Sequence, residues 1–105
     1  MQIDTIYSLA TPPGISAISI IRISGPRALQ TSEFFYFTET ENKSVNFRKL
    51  KQSDGSVIDE VLIVSFQSPS SSTGEDVLEI HCHGSEAVVK DILSVLEKAD
   101  GFRVA

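Results

Sequence analysis

Tryptophan is absent, and cysteine and methionine occur once each in 105 residues. A lone cysteine forms no internal disulfide, so the fold must hold by packing, and Cys82 reads as a reduced, small buried side chain. Basic residues are scarce: nine Lys and Arg stand against fourteen Asp and Glu, for a formal net charge of −5. Such a chain lacks the basic surface that displaces counterions from phosphates, which argues against free-standing nucleic-acid binding. Long apolar runs are missing too. The longest, residues 17–23, is far short of a membrane span. The opening MQIDTIYSLA has no basic region followed by an apolar one, so no signal peptide is expected. The expectation is a cytoplasmic chain with no membrane role. The pattern G-x-x-x-x-G-K-[ST] occurs nowhere, so no loop here can cradle a triphosphate, and this chain alone should neither bind nor hydrolyse GTP.

What is present is the make-up of one globular domain, 41% hydrophobic and 22% charged. Residues 3–11 carry β-branched and aromatic side chains and stop at Pro12-Pro13-Gly14, a turn. Residues 17–23 form a second strand. Gly25 and Pro26 suit the start of a helix over 26–35, with Pro26 at the first helical position. A polar surface loop follows over 38–44. Strands over 45–50 and 57–66 flank Asp54-Gly55, a hairpin signal because both residues tolerate positive φ. Residues 67–73 are a serine-rich loop, and 76–82 another strand. Val88, Val89, Ile92, Leu93, Val95 and Leu96 recur at helical spacing. Ser85 is a suitable N-cap, Glu86 complements the helix dipole, and Gly101 can end the helix. Residues 102–105 begin a last strand. The order ββαβββαβ predicts an α+β fold, two helices on a mixed, mostly antiparallel sheet.

The stretch TGEDVLEIHCHGS concentrates the chemistry. Strand alternation puts Leu78, Ile80 and Cys82 on a core face and Val77, Glu79 and His81 on the other, with His83 continuing it. Glu79, His81 and His83 thus form an E-x-H-x-H row. Such a row can bind zinc, as in a small metal-dependent hydrolase, but with two histidines in the chain it reads first as the polar side of a sheet. Arg22 is the other anomaly. It shares a strand face with Ile18 and Ile20, so its guanidinium either snorkels to solvent or meets an acceptor. Arg22 and Glu79 could serve one ligand as donor and acceptor, but the sequence does not show that they converge. A ligand-free interaction module remains a third reading.

TPPGISAISIIRISGPRAL, DGSVIDEVLI and TGEDVLEIHCHG together resemble the N-terminal domain of the tRNA-modification GTPase MnmE (TrmE) family, over nearly the whole chain. The resemblance implies a fold like the tetrahydrofolate-binding domain of aminomethyltransferases. It implies a site for 5-formyl-tetrahydrofolate or a related one-carbon donor, with Arg22 and Glu79 at the family's folate-contact positions. It also implies a homodimer, and a full-length protein that works with an FAD-dependent partner (MnmG, also GidA) on the wobble uridine of tRNA. The tRNA would not be bound by this domain alone. GTP, magnesium and potassium would belong to a GTPase domain outside this chain. Two departures stand out: Ser16 replaces a second glycine of the PPGxG stretch, and Ser72 replaces an aromatic residue before TGED. The chain also stops at Ala105, before the family's PGEF and NGK segments, whose lysine is a further folate contact. The expectation is a truncated, single folate-binding and dimerisation domain over 1–105, without the helical and GTPase domains.

Overall fold

Period-two alternation of β-branched residues drives six segments of this chain into strands. The computed structural model describes residues 4–10, 17–68 and 74–105. The expected Pro12-Pro13-Gly14 turn, most of the serine-rich loop, and the departures at Ser16 and Ser72 lie outside the described residues. The elements are β1 (Thr5–Leu9), β2 (Ile18–Ser24), a 3-10 turn (Ala28–Gln30) leading into α1 (Thr31–Phe34), β3 (Val45–Lys51), β4 (Val57–Phe66), β5 (Val77–His83), α2 (Glu86–Glu97) and β6 (Phe102–Val104). The strands make one six-stranded sheet in the order β3-β4-β5-β2-β1-β6. Every neighbouring pair is antiparallel except β1 and β6. The fold is therefore the α+β arrangement expected, with a mixed, mostly antiparallel sheet.

One face of the sheet is the core. Ile21 and Ile23 of β2, Ile63 of β4 and Ile80 of β5 are fully buried, and Leu78 and Cys82 nearly so. Burying each large aliphatic side chain stabilises the fold by about 1.5–3 kcal/mol. α2 covers this face, packing against β4, β5 and β6 and burying Ile92 and Leu96. Ser85 holds an extended backbone ahead of α2, and its hydroxyl accepts from the Val88 N–H at 3.5 Å. The helix ends at Glu97, before Gly101. Gly101, at φ 81°, instead forms the turn into β6, and its carbonyl accepts from the Thr5 N–H at 2.9 Å.

The first helix is much shorter than the expected 26–35. Pro26 stays outside it: the chain here closes tight three-residue turns, the Ala28 N–H donating to the Gly25 carbonyl at 3.2 Å and the Gln30 N–H to the Arg27 carbonyl at 3.0 Å, and the N–H groups on either side of Pro26 are held by segments distant in sequence. Thr5 Oγ1 accepts from the Arg27 N–H at 2.9 Å, and the Gly25 N–H donates to the Asp76 carbonyl at 3.0 Å. The other end stops where Phe35 is driven into the core and Tyr36 adopts φ 58°. The β3–β4 hairpin forms as expected, but only Gly55 uses positive φ (89°). Asp54 contributes otherwise: its Oδ1 accepts from the Ser56 N–H at 2.9 Å and the Ser56 hydroxyl at 2.6 Å.

Candidate functional site

The antiparallel register of β2 and β5 sets Arg22 directly opposite Glu79. Opposed side chains on one sheet face approach within side-chain reach, and here they pair. Arg22 Nε donates to Glu79 Oε2 at 2.9 Å, and Nη2 lies 2.8 Å from the same oxygen. The two residues that the sequence marked separately therefore converge. Glu79 is the more sheltered partner, 17% exposed against 50% for Arg22.

His81 joins them from within β5. Its Nε2 lies 3.1 Å from Glu79 Oε1, so each carboxylate oxygen has a different basic partner. Burial alone would raise the Glu79 pKa. The hydrogen bonds and positive charge of His81 and Arg22 outweigh it, and the pKa falls below the ordinary carboxylate value. Glu79 is accordingly an ionised acceptor at neutral pH, which suits a ligand that offers N–H donors.

His83 does not join this group. Asp59, at the start of β4, takes its backbone N–H on Oδ2 at 2.9 Å and faces its Nδ1 from Oδ1 at 2.8 Å. The E-x-H-x-H row is thus divided between two carboxylates: Glu79 holds His81, and Asp59 holds His83. Among the described residues no group of three or more His, Cys, Asp or Glu is placed to hold a metal ion. Asp59 was not singled out from the sequence. It stands among alternating residues of a hairpin strand, and nothing local marks it as a partner for a residue so much later in the chain.

Val77 also departs from the expected pattern. It falls on the polar face of β5 by alternation, yet it is buried. The other half of the TGED stretch is structural. Asp76 Oδ1 accepts from the Ser68 N–H at 2.8 Å, and the Ser68 hydroxyl donates to the Gly74 carbonyl at 2.9 Å. These bonds tie the exit of β4 to the entry of β5, so Glu79 enters the sheet at a fixed register.

Beside His81 lies a shallow pocket of about 210 Å³, walled by Ile18, Phe47 and Leu62 and edged by His83 and Glu60. A larger groove of about 750 Å³ runs along α2, lined by Tyr7, Leu9, Val89, Leu93 and Val104 among others. Arg22, Glu79 and His81 do not line that groove. Of the three, His81 alone lines the smaller pocket. No helix among the described residues is long and apolar enough to cross a membrane.

Comparison with known proteins gives a consistent result. The family described as the GTP-binding protein TrmE N-terminus matches residues 5–105. Proteins named tRNA modification GTPase MnmE are similar to the chain in several bacteria. That of Dinoroseobacter shibae is 42% identical over 97% of this chain and 24% of its own length. The one from Fervidobacterium nodosum is 43% identical over 97% of this chain and 23% of its own length. In Ehrlichia canis the identity is 46%, over 93% of this chain and 22% of the relative. The chain thus spans about a quarter of the length of the curated relatives it matches.

Proposed function

The chain belongs to the family of GTP-binding protein TrmE N-termini, and we propose that it is the folate-binding and dimerisation part of a tRNA-modification GTPase. The observation that carries the reading is the Arg22–Glu79 pair. Its members lie at the positions that the family resemblance assigns to folate contact, and they oppose each other across two strands. The donor set fits the ligand. A pterin edge presents an amino group and a ring N–H side by side, and an ionised carboxylate accepts from both. The half-exposed guanidinium can turn from Glu79 to an oxygen of the ligand. A bound 5-formyl-tetrahydrofolate, or a related folate, supplies a one-carbon unit.

On this reading the remaining work is done elsewhere. GTP, magnesium and potassium bind in other parts of a longer protein. An FAD-dependent partner, MnmG, joins that protein to modify the tRNA wobble uridine in the cytoplasm. The tRNA is not held by this domain alone, which agrees with the net charge of −5.

Calorimetric titration of the gene's full-length product with 5-formyl-tetrahydrofolate tests the site. Charge-assisted hydrogen bonds contribute about 1.5–3 kcal/mol, so Glu79→Gln and Arg22→Ala should each weaken binding about tenfold or more. The fold should survive both changes, since neither side chain belongs to the buried core. Unchanged affinity in both variants would show that the site is wrongly assigned.

A further inference from the structure

We infer that His81 is a positioning residue for Glu79, holding one carboxylate oxygen so that the pair stands as a fixed acceptor for a ligand edge with two neighbouring N–H donors. The inference rests on the folate reading for the identity of that ligand.

A glutamate carboxylate turns through a broad well about its last side-chain bond. Arg22 does not remove that freedom, because both of its contacts, at 2.9 and 2.8 Å, fall on Oε2. A guanidinium on one oxygen leaves the other free to swing around it. His81 supplies the second point, with Nε2 at 3.1 Å from Oε1. The ring is itself confined, since Leu62 of β4 and Ile20 of β2 oppose it on either side. It is 26% exposed, about half as open as Arg22. His81 is therefore the stationary partner and Arg22 the one free to move toward a ligand.

The carboxylate also decides which nitrogen carries the imidazole proton. An ionised carboxylate only accepts, so Nε2 must carry hydrogen in either charge state of the ring. The charged and titratable groups around His81 are Glu79 and His83 on its own strand, Arg22 on β2, and Glu60 on β4 with Lys49 of β3 opposite. Glu79 is the member of this set in contact with Nε2. Beyond these bonds Oε1 keeps one acceptor position, and Oε2 gains one when Arg22 turns away. A two-donor ligand edge needs that arrangement.

The experiment compares wild type, His81→Ala and His81→Gln in the full-length product. Titration with 5-formyl-tetrahydrofolate should show the alanine variant weakened about tenfold and the glutamine variant, whose amide can still donate to Oε1, within about threefold of wild type. Long-range 15N spectra of the ligand-free protein should show the Nε2–H tautomer, and Glu79→Gln should perturb it. Full affinity in His81→Ala would overturn the inference. So would equal loss in both variants, which would mean packing rather than the hydrogen bond. An Nδ1–H tautomer in the ligand-free protein would overturn it whatever the titration gave. If wild type binds no folate but the Nε2–H tautomer responds to Glu79→Gln, the folate reading fails and the positioning of Glu79 stands.

Discussion

Glu79 and Cys82 belong to one strand and meet opposite surroundings, because alternate side chains of β5 face opposite sides of the sheet. Glu79 faces cationic and hydrogen-bonding partners, which favour its charged form. Cys82 faces the core. Burial, aided by the negative charge of Asp59, pushes its thiol up to about 11. Its Sγ lies 3.5 Å from the Ser19 carbonyl, a weak thiol hydrogen bond. Only the thiolate is an effective nucleophile, so at pH 8 this cysteine should resist alkylation in the folded protein. Iodoacetamide labelling followed by mass spectrometry should show slow modification in buffer and rapid modification in denaturant. Equal rates in the two conditions would mean that β5 does not bury this face. The sequence showed the face of each of these residues by alternation alone. It did not show their partners, since Arg22 and Asp59 come from strands whose register only the folded sheet defines.

At the scale of elements, legibility followed the range of the interactions. α2 was readable because its determinants are local: apolar spacing, Ser85 at the N-cap, Glu86 in the first turn. The segment after β2 was not, because bonds to strands distant in sequence hold both of its ends, Thr5 of β1 at Arg27 and Lys51 of β3 at the Phe35 carbonyl. Gly25 is the clearest case. Its φ is 144°, and a Cβ there would lie 2.6 Å from the Thr5 Cα, a backbone atom that cannot swing aside. Glycine lets β1 and the chain leaving β2 come this close, and the contact brings Thr5 Oγ1 within reach of the Arg27 N–H. Gly25→Ala adds backbone strain and a steric clash, each costing on the order of 1–3 kcal/mol, so a loss of about 2 kcal/mol or more is expected. Urea denaturation of wild type and variant measures it. A change below about 0.5 kcal/mol, the usual size for an uninvolved surface position, would mean that β1 does not approach Gly25 in solution.

Across the whole molecule the two sheet faces are unequally covered. α2 shields one face. On the other, Val45 and Phe47 of β3, Leu62 of β4 and Ile18 of β2 are exposed, Phe47 to 56%. The registers make these one surface: Phe47 opposes Leu62, Leu62 opposes His81, and His81 opposes Ile20. Contiguous apolar surface of this kind marks a contact site. The proposed homodimer supplies an occupant, a second copy of the same face. A standard interface takes about 800 Å² from each partner, roughly an eighth of this chain's 6283 Å². That is a share which a face spanning four strands can provide. Two copies each with a net charge of −5 repel, so the dimer must rest on apolar contact and should tighten as salt screens the charge. Sedimentation velocity on the full chain should show a dimer fraction that grows from low to moderate salt. Leu62→Glu places a charge in the middle of the patch and should shift the population toward monomer by about tenfold or more in Kd, since a buried unpaired charge costs several kcal/mol. Val104→Glu, beside the α2 groove on the opposite face, serves as the control and should leave the dimer intact. If Val104→Glu dissociates it and Leu62→Glu does not, the copies meet through the groove along α2. A strictly monomeric wild type at high concentration would remove dimerisation from the proposed function of this chain.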